Sequence, residues 1–192
     1  MTSVIHRTLL AMPPIAIGGE GPYLIDASGK KYLDASGGAA VSCLGHQHPS
    51  VIAKLHQQSS RLAYAHTGFF TSEPAEKLGN MITERAPHGM NKVLFVSGGS
   101  EAIESAIKLS RQYYLARGEP SRHKIISRSQ SFHGNTLGAL AIGGNKARQK
   151  PFDPLLLDVA RISPCYSYRY QKPGESIENY ALRAANELEA KR

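Results

Sequence analysis

The stretch VLFVSGGSEAIESAIKLSRQYY (Val93–Tyr114) decides which fold class this sequence predicts. It opens with an unbroken apolar run, Val93–Val96, which predicts a strand covered on both faces. Apolar residues then recur at helical spacing behind Glu101, and this pattern predicts an amphipathic helix. Only Ser97–Ser100 connects the two elements. A buried strand that runs straight into a helix is typical of an α/β domain with a parallel sheet.

The segments around this stretch carry secondary-structure patterns of their own. They predict a hairpin over Pro22–Gly38, helices over His48–Ala63, Thr71–Pro87 and Ser176–Arg192, and a second strand followed by a helix between His123 and Gly144. On the helix behind Glu101, Glu104 stands four residues before Lys108, the order that favours an ion pair on the polar face. The alternation of strand and helix supports the α/β prediction.

Composition excludes several classes of protein. The 192 residues are 41% apolar and 20% charged, as in a globular chain, and no apolar run approaches the roughly 18 residues of a membrane span. The net charge of +8 comes from dispersed basic residues, so we expect neither a nucleic-acid nor a membrane partner.

Cys43 and Cys165 stand far apart, which suits a cytoplasmic location. His46, His48 and His66 lack carboxylate or cysteine neighbours at ligand spacing, so we expect no metal site.

The connection Ser97–Ser100 has the composition of an anion-binding loop. Gly98 and Gly99 have no Cβ, so a bulky anion can approach the backbone. The first N–H groups of the following helix lack intrahelical partners, and the helix dipole adds partial positive charge there. Ser100 can donate its hydroxyl to the same anion, which predicts a phosphate site. The alternative is a tight strand-to-helix connection with a serine as an ordinary cap. The loop matches neither a P-loop nor a GxGxxG fingerprint.

A second loop, SQSFHGNTLGAL (Ser129–Leu140), follows the second predicted strand. Phe132 could stack on a flat heterocycle, and Gly134 would let that ring lie close to the backbone. The alternative is that Phe132 belongs to the core. Together with a phosphate loop on the neighbouring strand, the pattern favours a phosphorylated aromatic cofactor.

The segments Phe95–Tyr114 and Ser131–Ala141 resemble the two cofactor motifs of class III pyridoxal-phosphate-dependent aminotransferases, and Gly21–Leu55 resembles the N-terminal segment of that family. The resemblance implies the N-terminal part of fold type I, in which residues 1–60 contribute to the small domain and 61–192 form an incomplete large domain around a parallel sheet. It also implies a cofactor site for pyridoxal 5'-phosphate, made of Gly98, Gly99, Ser100, Phe132, His133 and Gly134.

The family's reaction transfers an amino group from an amino acid or ω-amino compound to a 2-oxo acid such as pyruvate. The resemblance places Ala63–Ser72 near the partner subunit's active site, which implies a homodimer when the protein is complete. No lysine stands in the sequence context of the family's Schiff-base lysine, so we expect no catalytic residue here and no activity from this chain alone. The alternatives are an inactive truncated remnant and a non-catalytic α/β module that binds a phosphate ligand.

Overall fold

The computed structural model describes residues 2–8 and 10–191. The chain divides into two units, Met1–Pro87 and His88–Arg192, and the domain boundary expected between residues 60 and 61 stays a prediction. Within the described residues, no helix combines the length and the apolar composition that a membrane span requires.

The first unit begins with a three-stranded antiparallel sheet. Its strands are β1 (Ala16–Glu20), β2 (Tyr23–Asp26) and β3 (Lys31–Leu33), in the order β1-β2-β3. The Asp26 carboxylate holds the turn between β2 and β3, because it accepts hydrogen bonds from the backbone N–H groups of Ser28 and Lys30 and from the Tyr32 hydroxyl. The hairpin predicted over Pro22–Gly38 is therefore confirmed.

Three helical segments complete the first unit: the short turn α1 (Gly37–Ala40), α2 (Pro49–Arg61) and α3 (Glu73–Thr83). Both longer helices carry a proline in their first turn, where a missing N–H costs nothing. The two predicted helices are confirmed. The turn α1 is not a regular α-helix, because Gly38 and Ala39 adopt left-handed backbone angles, with φ of 57° and 58°.

The second unit has mixed α/β structure. Its elements are α4 (Gly99–Ala116), β4 (Ile126–Arg128), α5 (Leu137–Ile142), α6 (Lys146–Gln149), a 3₁₀ helix (Lys150–Leu155), β5 (Ala160–Ile162), α7 (Ser167–Tyr170) and α8 (Ile177–Ala190). Strands β4 and β5 pair in parallel, as the α/β prediction requires. The helices predicted behind Glu101 and over Ser176–Arg192 are confirmed as α4 and α8, although Arg192 lies outside the described residues.

The prediction of a covered strand at Val93–Val96 is wrong for this chain. The segment has no regular secondary structure, and Leu94 is 70% exposed. A strand forms only against a partner, and among the described residues of this unit only β4 and β5 pair with each other. The apolar run shows that the segment tolerates burial on both faces, but burial requires neighbouring strands.

The buried apolar side chains of the described residues cluster in α5, β5 and α8. They are Ala139, Leu140, Ala141, Ile142, Ile162, Tyr180 and Ala184. The amide of Gln149, which is 2% exposed, donates to the backbone carbonyls of Leu140, Ala141 and Gly143. These bonds satisfy carbonyls that the end of α5 leaves without partners. Helix α5 is thereby held in place at its apolar face and at its end, and it fixes the position of the loop that precedes it.

Candidate functional site

The beginning of α4 is open to a ligand. Gly98 is the N-cap residue in an extended conformation, and among the described residues no side chain forms a capping hydrogen bond there. Gly98 and Gly99 are both exposed. The first N–H groups of the helix therefore face outward without a side-chain partner, which is the arrangement that binds anions. The Glu101 carboxylate lies near Gly98, at the same positive end of the helix dipole, but it forms no capping hydrogen bond there.

Ser100 joins this helix start to the second predicted loop. Its Oγ accepts a hydrogen bond of 2.9 Å from the backbone N–H of Asn135. A hydroxyl that accepts one bond keeps its own proton free to donate. Ser100 is half-buried, so its hydroxyl both attaches the loop and retains a donor for an anion at the helix start.

Gly134 lies directly against Ser100. A Cβ on Gly134 would stand 2.5 Å from Ser100 Oγ and 2.9 Å from Ser100 Cα, and its φ of +136° is a conformation that other residues rarely adopt. Glycine is required here for both reasons. The two loops, which belong to separate sequence motifs, therefore meet. The sequence pattern predicted a different purpose for Gly134, that of clearing space for a ring.

Phe132 is not part of the core, since its side chain is 66% exposed. The guanidinium of Arg148 lies 4.6 Å from the centroid of its ring, a cation–π contact. Arg148 is held in the first turn of α6, where its N–H donates to the Asn145 side chain. His133 beside it is half-buried. An exposed aromatic ring in a loop attached to an open helix start remains available to a flat ligand.

Glu104 is a residue of the site that the sequence patterns did not identify. Its Oε1 accepts hydrogen bonds from the backbone N–H groups of Gly138, at 2.9 Å, and Ala139, at 3.2 Å. The Thr136 hydroxyl and these two N–H groups lower the pKa of the Glu104 carboxyl. The expected ion pair with Lys108 is wrong for the described residues, since Lys108 only adds a more distant electrostatic effect. The available signal was the spacing of Ser100 and Glu104, which puts both on one helix face.

The first unit contains a separate polar cluster around Asp34. Its carboxylate accepts hydrogen bonds from the Ser42 hydroxyl, at 2.6 Å, and from the Gly38 N–H, at 3.1 Å, and His46 Nε2 lies 3.1 Å away. The Ser42 hydroxyl is the largest cause that lowers the pKa of Asp34 to about 2. These bonds hold the left-handed turn α1. In the part of the chain that the structure describes, no group of three or more His, Cys, Asp or Glu side chains is placed to hold a metal ion.

Comparison with known proteins places these features in a family. Residues 8–192 match the family model of class III aminotransferases, and the chain belongs to that family. An uncharacterized aminotransferase of Schizosaccharomyces pombe is 43% identical over 189 residues, which are 98% of this chain and 40% of the relative. The uncharacterized aminotransferase YodT of Bacillus subtilis is 38% identical over 186 residues, which are 97% of this chain and 41% of the relative.

Solved structures of the family agree with the fold. The omega transaminase from Pseudomonas jessenii in complex with PMP is 34% identical, with a TM-score of 0.87 over 93% of this chain and 40% of that chain. The chain therefore has the structure of part of the fold of fold type I transferases, and class III aminotransferases use pyridoxal phosphate. The chain spans about 40% of the length of these relatives.

Proposed function

We propose that this chain supplies the phosphate- and ring-binding part of the pyridoxal 5'-phosphate site of a class III aminotransferase. The backbone N–H groups behind Gly98 and Gly99, together with the Ser100 hydroxyl, bind the phosphate. Phe132 contacts the pyridine ring, and Gly134 brings the two binding loops together. The family match over residues 8–192 supports the cofactor class.

One observation carries the proposal: the loop with Phe132 is attached to the open start of α4. The Asn135 N–H donates to Ser100 Oγ, and Gly134 packs on Ser100 at a distance that no larger residue allows. A ligand with an anionic group and an aromatic ring can bind both parts only if the helix start and Phe132 lie close together. The contacts of Ser100 with the loop hold these two parts together. An uncapped helix start and an exposed aromatic side chain fit a phosphorylated pyridine.

Bound pyridoxal phosphate supplies an electron-withdrawing ring that allows a proton to leave the amino-bearing carbon of a substrate. The residues of this chain bind and orient that group. The family's reaction also needs a lysine amine, and Lys108, Lys146 and Lys150 are all exposed side chains on or beside helices outside the family's lysine motif. We therefore propose that amino transfer to a 2-oxo acid requires residues beyond these, that the chain alone is inactive, and that the complete protein is a cytoplasmic homodimer.

Binding of pyridoxal phosphate to the purified chain tests the proposal. We expect a titration followed by absorbance to saturate. Ser100→Ala should weaken binding about tenfold, a loss of about 1.4 kcal/mol that suits a hydrogen bond to a charged group. Phe132→Leu should weaken it by up to about tenfold, because a contact between two aromatic rings is lost. Ser110→Ala, on the same helix, and Phe152→Leu, in the 3₁₀ helix, are the matched controls and leave the affinity unchanged.

Two further measurements separate the proposal from its alternatives. Borohydride treatment of the mixture followed by mass spectrometry should show no stoichiometric adduct at a single lysine, and such an adduct would contradict the predicted inactivity. Competition by ATP or NAD as strong as that by pyridoxal phosphate itself would favour a general phosphate-binding module. A titration without saturation, or one that neither substitution weakens, would refute the cofactor site.

A further inference from the structure

Glu104 stands one helical turn beyond Ser100 on α4, and both residues make contacts with the same distant segment. Ser100 Oγ accepts the N–H of Asn135, and Glu104 Oε1 accepts the N–H groups of Gly138 and Ala139. The two helix residues are four positions apart, and their partners follow in the same order. The loop and the first turn of α5 are thus attached to α4 at two levels.

Attachment at two levels does more than either bond alone. A loop held only at Ser100 could pivot around that hydrogen bond, and the Phe132 side chain would move with it. The bonds to Glu104 remove this freedom because they fix the start of α5 relative to the axis of α4. Their acceptor is a carboxylate, so they are charge-assisted bonds, which are stronger than bonds between neutral groups.

Gly138 supplies an independent observation of how close this contact is. A Cβ at Gly138 would stand 2.6 Å from Glu104 Oε2 and 2.7 Å from Oε1. The carboxylate can reach both N–H groups only because residue 138 has no side chain. The start of α5 therefore has room for the Glu104 side chain because residue 138 is glycine. Gly134 makes room for Ser100 in the same way.

We propose that Glu104 is a positioning residue for the cofactor site: its carboxylate fixes the loop 132–136 against the first turns of α4, and so sets the relative placement of Ser100 and Phe132. The ligand part of this inference rests on the proposed function. The attachment itself does not, and it can be measured without any ligand.

Amide hydrogen exchange of the free chain tests the attachment. Glu104→Ala removes the acceptor, and we expect exchange at Gly138 and Ala139 to become about tenfold faster or more, since a hydrogen bond to a charged group is lost. Glu104→Gln keeps a neutral oxygen in place and should rescue part of the protection. Gly138→Ala keeps the charge but displaces the carboxylate, and should act like Glu104→Ala. Glu189→Ala, an exposed glutamate on α8, is the control and leaves these amides unchanged.

A local effect distinguishes positioning from general stability. Exchange in β4, β5 and the buried part of α8 should stay the same in Glu104→Gln. Equal protection of Gly138 and Ala139 in all variants, or uniformly faster exchange of the whole unit even in Glu104→Gln, overturns the inference.

Titration with pyridoxal phosphate then tests the consequence. We expect Glu104→Ala to weaken binding about tenfold, a loss of the size expected for a hydrogen bond to a charged group, and Glu104→Gln to weaken it less, while Glu189→Ala binds like the natural chain. If the natural chain binds and Glu104→Ala binds equally well, the positioning role is wrong and the proposed function stands. If the natural chain does not bind, the proposed function fails, and the exchange data alone decide whether Glu104 holds the loop.

Discussion

Replacing Gly134 with alanine tests the contact on which the cofactor site depends. The new Cβ would stand 2.5 Å from Ser100 Oγ and 3.0 Å from Ser100 Cβ, in a residue whose φ is +136°. A non-glycine residue in such a conformation costs about 1–3 kcal/mol, and overpacking of this kind costs about as much again. Keeping the loop in place would therefore cost roughly 2–6 kcal/mol.

Moving the loop away from α4 costs less free energy than keeping it in place, so we expect the loop to move. A local shift of the loop 132–136 away from α4, with the bonds of Gly138 and Ala139 to Glu104 kept, breaks only the hydrogen bond between the Asn135 N–H and Ser100 Oγ, which contributes about 1 kcal/mol. We therefore expect Gly134→Ala to lower the free energy of unfolding by only about 1–2 kcal/mol. The affinity for pyridoxal phosphate should fall about tenfold or more, because Phe132 moves away from the helix start.

Urea unfolding and a pyridoxal phosphate titration on the same preparations measure both effects. Gly174→Ala is the matched control: Gly174 has a φ of +77° and nothing within 4 Å of its Cβ position, so it gives strain without a clash and leaves the affinity unchanged. In a Ser100→Gly background, Gly134→Ala should cost less stability than alone, since Ser100 Oγ and Cβ are gone and only the backbone Cα, at 2.9 Å, stays in the way. Natural affinity in Gly134→Ala, or strictly additive costs in the double variant, would refute the reasoning.

Two predictions concern the first unit. Gly79→Ala in α3, where nothing lies within 4 Å of the new Cβ, should raise the free energy of unfolding by about 1 kcal/mol in thermal unfolding, and a lower value would show that the helix needs glycine there. The pKa of Asp34 is lowered to about 2, first by the Ser42 hydroxyl, so its contribution to stability is present above the ordinary pKa near 3.8 and disappears as the pH falls towards 2. Amide exchange at Gly38 followed over this range should show the loss, and Ser42→Ala should shift it to higher pH.

The parts of the fold that the sequence predicted correctly depend on local patterns. The hairpin over Pro22–Gly38 follows from two short apolar runs that flank a turn-forming segment, and α2 and α3 follow from apolar spacing with a proline in the first turn. The start of α4 behind Gly98 follows from two glycines between an apolar run and a helical pattern. In each case the residues that determine the element lie within the element itself.

The parts that could not be predicted depend on distant residues. Val93–Val96 carries a strand pattern, but a strand needs partners, and the pattern cannot say whether they are present. Glu104 had a sequence neighbour of opposite charge in Lys108, whereas its hydrogen bonds go to residues 34 and 35 positions away. The contact of Arg148 with Phe132 likewise joins α6 to a separate loop. The sequence pattern could not predict such contacts, because no periodic spacing connects the residues that form them.

The candidate site lies at the start of α4, where polar contacts hold the helix in position. Of the described side chains of α4, none is buried, and Leu109 on its apolar stripe is 62% exposed. An open groove of about 660 Å³ is lined by Ile103 and Ile107 of the helix and by Ile126 of β4. Apolar packing therefore contributes little to the placement of α4, and the hydrogen bonds of Ser100 and Glu104 carry a large share of it.

Each of these bonds is worth only about 1–3 kcal/mol, so the start of α4 and the loop 132–136 are joined by a small free energy. A ligand that binds both the helix start and Phe132 adds contacts across the same junction. Its affinity and the attachment of α4 are then linked: the bound ligand strengthens the attachment by the same factor by which the formed attachment strengthens ligand binding. The residues that hold the loop without touching the ligand thereby become part of what determines how tightly the cofactor binds.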